Sequence, residues 1–134
     1  HIFGDIGNSE TKVFLAIKKI RLLEHKFFSK KINSKILKSK FHYLVRDFTI
    51  IDKVLFCSVV PKSFNLIKKF LLKKTKKKCY EVKDLRLKSL ININVNYKQV
   101  GSDRLTNAVS LLNNKDNFII LDFGTATTFD VVIK

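Results

Sequence analysis

The chain has 134 residues, 46% of them hydrophobic, enough to bury one core and too few for a second complete domain. Its formal net charge of +16 taken alone points to an anionic partner such as nucleic acid or a membrane surface. The excess accompanies much Ile, Asn and Phe with only four Gly and one Pro, as AT-rich codons produce, so codon bias accounts for much of the lysine.

In chain order, Ile2 to Asp5 reads as a short apolar strand, Gly7, Asn8 and Ser9 as a turn, and Lys12 to Ile17 as a second strand. Ile20 to Phe28 is expected to be a third, with a weaker pattern that also admits a helix. After the turn-prone Asn33-Ser34, the segment Lys35 to Phe48 carries Ile36, Leu37, Phe41, Leu44, Val45 and Phe48 near helical spacing. Val54 to Val60 is a β-branched and aromatic run closed by Pro61, which predicts a buried strand. Ser63 is the expected cap of a following helix with Phe64, Ile67, Phe70 and Leu71 on one face. The lysine run from Lys73 to Lys78, broken by Thr75, has no interleaved aromatics to stack on bases and reads as a solvated helix end.

A short strand near Cys79 to Val82 and an irregular stretch through Lys98 come next. A third helix is expected over Gly101 to Asn113, with Ser102 or Asp103 near its amino end, then a strand pair, Phe118 to Asp122 and Thr128 to Ile133. Strands followed by alternating helix and strand predict an α/β fold. The final hairpin restarts the pattern of the first: Asp5-Ile6-Gly7-Asn8-Ser9 before Lys12-Val13-Phe14 is echoed by Asp122-Phe123-Gly124-Thr125-Ala126-Thr127-Thr128 before Phe129-Asp130-Val131. That echo points to a duplicated domain, the first over 1–114 and the opening hairpin of a second over 115–134.

Cys57 and Cys79 lack metal-ligand or CxxC spacing and read as reduced thiols of a cytosolic protein, Cys57 buried in a strand. His1, His25 and His42 lie in basic, surface-like contexts without ligand spacing. No apolar run approaches a bilayer's span and no signal-peptide order opens the chain, so a soluble, cytoplasmic protein is expected. It starts at His1 rather than Met and stops at Lys134 within an apolar alternation, so both ends are expected to be cut.

The acid-Ile-Gly-Asn-Ser turn has a chemical reading. Glycine lets backbone approach an anion, turn amides and the Asn8 and Ser9 side chains donate, and Asp5 offers a carboxylate to a divalent cation. An ordinary Gly-Asn hairpin is the alternative. Thr125, Thr127 and Thr128 add hydroxyls in the second turn and Asp122 a carboxylate at the strand end, against the alternative of a threonine-rich β-turn. With no GxxxxGK[ST] loop present, phosphate binding would have to be of this two-hairpin kind. Between the hairpins lies Val100-Gly101-Ser102-Asp103-Arg104, where a carboxylate suits proton abstraction from an attacking hydroxyl and an arginine suits a substrate carboxylate. The alternative makes Asp103 a helix cap and Arg104 a surface cation.

Four segments in this order resemble the type III pantothenate kinases, relatives of actin and of the acetate and sugar kinases. They are Asp5 to Ser9, Cys57-Ser58-Val59-Val60-Pro61, Val100 to Arg104 with Leu105, Asn107, Ala108 and Val109, and Leu121 to Asp130. The resemblance implies a ribonuclease H-like, actin-type ATPase domain and phosphorylation of pantothenate by ATP with Mg²⁺. It implies Asp103 as general base, with Gly101, Ser102, Asp103 and Arg104 contacting substrate. Asp5, Ile6, Gly7, Asn8, Ser9, Glu10, Thr11 and Lys12 would line the triphosphate, Thr125 would approach it from the other hairpin, and Asp122 would hold an activating potassium or ammonium ion. The family acts as a homodimer; neither nucleic acid nor membrane is an expected partner.

Ser9 stands where the family usually has Thr, Asn96-Tyr97 replaces an acid or asparagine followed by proline, and Asn94 falls near the position of an aromatic substrate contact. Because family members are about twice this length, the chain is expected to be an amino-terminal half that lacks the adenine-binding glycines and is inactive and marginally stable alone. A kinase-like accessory protein without turnover and a basic nucleic-acid-binding module remain as alternatives. The latter leaves the paired hairpins unexplained.

Overall fold

Alternating burial runs through the segment from Glu10 to Leu15. The computed structural model describes residues 1–17 and 20–133, with β1 (Ile2–Ile6), β2 (Glu10–Ile17) and β3 (Ile20–Phe28) joined antiparallel. Lys134, counted in the expected second hairpin segment, lies outside the described residues. Helix α1 (Ser34–Leu44) follows, then β4 (Val54–Ser58), α2 (Pro61–Thr75), β5 (Cys79–Glu81), α3 (Ser102–Ser110), and a separate hairpin of β6 (Phe118–Phe123) and β7 (Thr127–Val132). The main sheet is ordered β3-β2-β1-β4-β5, with β4 parallel to both its neighbours, so the chain is a mixed α/β structure.

Period-two placement divides this sheet into two chemistries. Ile2, Ile6, Val13, Leu15, Val54 and Phe56 face α1 and α2, where Leu37, Phe41, Leu44, Phe64, Ile67 and Leu71 complete the larger core. On the other side a smaller core gathers Cys57, Val82, Leu87, Val100 and Leu105, bringing α3 against β4. Gly4 lies between Ile2 and Ile6 in β1 and pairs with Phe56 of β4, whose ring occupies the space a Cβ would need, 2.0 Å from its Cε1. The glycine is thus part of the core packing: its missing side chain seats the Phe56 ring.

Local chemistry moves several boundaries from their expected places. The helix expected to reach Phe48 stops at Leu44, because Val45 is extended and Asp47 accepts from the Thr49 amide and hydroxyl, starting a separate 3-10 turn over Phe48–Ile50. At its other end the Asn33 carboxamide oxygen accepts from the amides of Lys35 and Ile36. Strand β4 ends at Ser58 rather than Val60, since the Ser58 hydroxyl takes the Val60 amide and Pro61 opens α2 at once. Ser63 therefore is not a cap. It sits inside the first turn of α2, buried, and donates to the Ser29 carbonyl.

Helix α3 is shorter than Gly101 to Asn113 and is capped by Gly101 without a side-chain bond, so neither Ser102 nor Asp103 caps it. The lysine run is the solvated end of α2, with Lys76 in a left-handed turn at φ 57°. Of the histidines expected at the surface, His42 is exposed, but His1 is half-buried, its amino group donating to the Ala16 carbonyl at 2.9 Å. Among the described residues, no helix is long and apolar enough to cross a membrane.

The β6-β7 hairpin has one face toward the rest of the chain, and its other carries Ile119, Leu121, Phe123, Phe129, Val131 and Ile133, all exposed. A contiguous apolar strand face with unpaired edges promotes association. The 134-residue chain studied alone is therefore expected to self-associate as concentration rises, which sedimentation velocity would measure; a stable monomer at high micromolar concentration would contradict it. Gly4→Ala, which overpacks the Phe56 contact, should lower unfolding free energy by about 1–3 kcal/mol. Denaturant titration checks this, with Phe56→Leu restoring part of the loss in the double variant.

Candidate active site

The β1–β4 register places Asp5 opposite Cys57, and the β1–β2 register places Asp5 opposite Lys12. Cross-strand partners share a face, so the acid, the thiol and the cation stand together on the side of the sheet that carries α3. The Cys57 thiol donates to Asp5 Oδ1 at 3.2 Å. Burial above all, then the nearby Asp5 and Asp103 carboxylates, pushes the Cys57 thiol up, so it stays protonated and remains a donor. Cys79, buried in β5, is pushed up to about 12, chiefly by desolvation. Both cysteines are free thiols, as their spacing predicts.

Helix α3 aims its first turn at this group. Buried Ser102 donates to the Ser58 carbonyl at 3.3 Å, which pins the helix to the end of β4. The next residue, Asp103, is half-buried, and its Oδ1 accepts the Arg104 amide at 2.8 Å. A Cβ on Gly101 would fall 2.2 Å from that same Asp103 oxygen, so the glycine makes room for the carboxylate. A carboxylate in the first helical turn is stabilised by the amide dipoles there.

The two hairpin turns meet. Ser9 Oγ and Thr125 Oγ1, 116 positions apart, lie at 3.2 Å. Of the stretch from Asp5 to Lys12, Ile6 and Thr11 turn their side chains into the core, Thr11 sharing a hydrogen bond with Ser29 at 2.8 Å. Gly7, Asn8 and Ser9 form the turn, closed by the Gly7 amide donating to the Glu10 carbonyl at 3.0 Å. Asp122 is half-buried in β6, opposite Thr128.

Arg104 crosses from α3 to the hairpin. Its Nε donates to Asp130 Oδ1 at 2.7 Å, its Nη2 donates to the same oxygen, and Nη2 also approaches the Phe129 carbonyl. The Asp130 bond strengthens the guanidinium's hold on its proton. Beside this pair lies a cavity of about 710 Å³, bordered by Ile93, Val100, Leu105 and Val132. A second hollow, edged by Lys38, His42 and Lys74 of α1 and α2, contains none of these residues. Among the described residues, no three His, Cys, Asp or Glu side chains gather as a metal-binding set.

The sequence pattern of type III pantothenate kinases matches residues 1–134, the whole chain. The chain belongs to the type III pantothenate kinase family. It is 57% identical over 139 aligned residues to the type III pantothenate kinase of Pelagibacter ubique (strain HTCC1062), covering 99% of this chain and 54% of that protein. It is 33% identical to that of Sulfurihydrogenibium sp. (strain YO3AOP1), over 97% of this chain and 54% of the relative. To that of Geotalea daltonii (strain DSM 22248 / JCM 15807 / FRC-32) it is 40% identical over 66% of this chain and 35% of the relative. The chain thus spans about half the length, or less, of these curated relatives.

Two participants had no role in the sequence reading of this kinase family member. Cys57 was expected as a buried strand residue opening a family-like segment, with no site role, and the β1–β4 pairing brings it to Asp5. Asp130 figures only in the repeated hairpin pattern and the family-like segment Leu121 to Asp130, and nothing in one sequence ties it to Arg104. Gly101→Ala is expected to force the Asp103 side chain off its rotamer at about 1 kcal/mol. An upfield move and faster exchange of the Arg104 amide proton would report it; an unchanged amide would refute the close approach.

Proposed function

We propose that the protein carrying this chain transfers the γ-phosphoryl group of ATP to the terminal hydroxyl of pantothenate, giving 4'-phosphopantothenate, the first step of coenzyme A synthesis. Family membership supports the reaction class, and the observation that carries the assignment of roles is the Asp103 carboxylate at the start of α3, beside Cys57 and Asp5. In this reading Asp103 takes the proton of the attacking hydroxyl as the new O–P bond forms and ADP leaves with the electrons of the broken bond. Gly101, Ser102 and Arg104 hold the acceptor, Arg104 by its carboxylate.

Asp5 to Lys12 and Thr125 line the triphosphate from two sides. The meeting of Ser9 with Thr125 supports that clamp, as does Lys12 paired across the strands from Asp5. Among the described residues the one side-chain hydrogen bond to Asp5 comes from Cys57, and a single such carboxylate fits Mg²⁺ held mainly by nucleotide phosphates. Asp122, a hard oxygen donor at a strand end, fits a monovalent cation, potassium or ammonium. Bound there, these cations would neutralise phosphate charge as it shifts toward the leaving group.

The strand order β3-β2-β1-β4-β5 with helices on both faces supports a ribonuclease H-like, actin-type domain over 1–114, and the separate sheet supports 115–134 as the opening of a duplicated second domain. The protein is taken to work in the cytoplasm as a homodimer. The test is phosphorylation of pantothenate by the full-length gene product, with potassium against sodium. Product should depend on potassium, and Asp103→Asn should lower kcat at least 100-fold at unchanged thermal stability, consistent with loss of a general base. A well-folded dimer that makes no product would move the assignment to an accessory protein without turnover.

A further inference from the structure

We propose that Asp130 is a positioning residue that sets the Arg104 guanidinium for the acceptor substrate's carboxylate. The proposal rests on the reading of Arg104 as a substrate contact. An arginine side chain has five N–H donors and many rotamers, and ordering it at the moment of binding weakens the complex. Here Asp130 Oδ1 takes Nε and one Nη2 donor, and the Phe129 carbonyl lies 3.4 Å from Nη2. Among the described residues these bonds leave the Nη1 donors of Arg104, on the far edge of the guanidinium plane, for a ligand, and both side chains border the 710 Å³ cavity. One carboxylate thus orients the fork while leaving an edge for another.

The hairpin makes Asp130 a rigid post. It pairs with Ile120 across β6-β7 and points inward, its side chain 16% exposed against 35% for Arg104. Its second oxygen, Oδ2, is buried and has no hydrogen-bond partner among the described residues. A carboxylate so desolvated depends on the arginine for compensation, whereas the arginine, more open to water, does not depend on it equally. The asymmetry yields a sign: Arg104→Ala should lower Tm more than Asp130→Ala.

The experiment uses the full-length gene product with Asp130→Ala and Asp130→Asn, the latter keeping an acceptor oxygen. Asp130→Ala should raise the pantothenate KM about tenfold with the ATP KM within about twofold, and Asp130→Asn should recover most of that loss. Independently of turnover, the Arg104 Nε proton should exchange slowly in the wild type and rapidly in Asp130→Ala. An unchanged Nε exchange rate would overturn the proposal, as would equal rises in both KM values with a fall in Tm, the mark of a merely structural role. If the wild type does not phosphorylate pantothenate, the assigned reaction fails by itself, and the Nε exchange still decides whether Asp130 holds the arginine.

Discussion

The parallel pairing of β1 with β4 is the constraint from which the rest of the structure follows. Its register sets Ile2 against Val54, Gly4 against Phe56, Asp5 against Cys57 and Ile6 against Ser58. Because side chains alternate, the even-numbered positions of both strands supply the large core, and Asp5 and Cys57 are left on the opposite face. A one-residue slip of β1 against β4 would bury Asp5 beneath α1 and α2 and turn Ile2 and Ile6 toward α3. The fit of the Phe56 ring over Gly4 opposes that shift, since only glycine at this place leaves room for it. Core packing on one face thereby fixes polar chemistry on the other.

From that face side-chain bonds reach the second sheet: Ser9 meets Thr125, and Arg104 joins Asp130. Both pairs are polar, and beside Arg104 and Asp130 the Val132 side chain of β7 borders the cavity together with Ile93, Val100 and Leu105. The cavity of about 710 Å³ thus combines an apolar lining with the Arg104 and Asp130 side chains at its border.

What could be read from the sequence follows from how local each feature is. Strands β1 and β2 emerge from short apolar or alternating runs and α2 from its apolar face, whereas the weaker pattern of Ile20 to Phe28 also admits a helix. The boundaries that moved were decided by side-chain bonds that periodicity does not contain: Asp47 to Thr49 beyond α1, and Ser58 to Val60 beyond β4. The same holds at the candidate site. Asp5, Asp103, Arg104 and Thr125 stand out because each sits in a segment that resembles the family's, while the residue types alone leave a structural turn or a helix cap open. Cys57 and Asp130 act through partners 52 and 26 positions away, and no local pattern carries such a distance.

Charge explains why those carboxylates must be placed with care. In a chain of formal charge +16 with only 11 Asp and Glu, Asp5 and Asp122 fall near the ends of β1 and β6, Asp103 at the α3 terminus and Asp130 on the inward hairpin face. The basic surroundings favour approach of anions such as nucleotides and carboxylic acids. Acids gathered where such anions would bind oppose them, unless each is compensated. Asp5 receives the Cys57 thiol, Asp103 the amide of Arg104, and Asp130 the guanidinium of Arg104. Arg104 thus serves two acids through different groups, its backbone holding one and its side chain the other, so that single residue couples the setting of the candidate base to the second sheet.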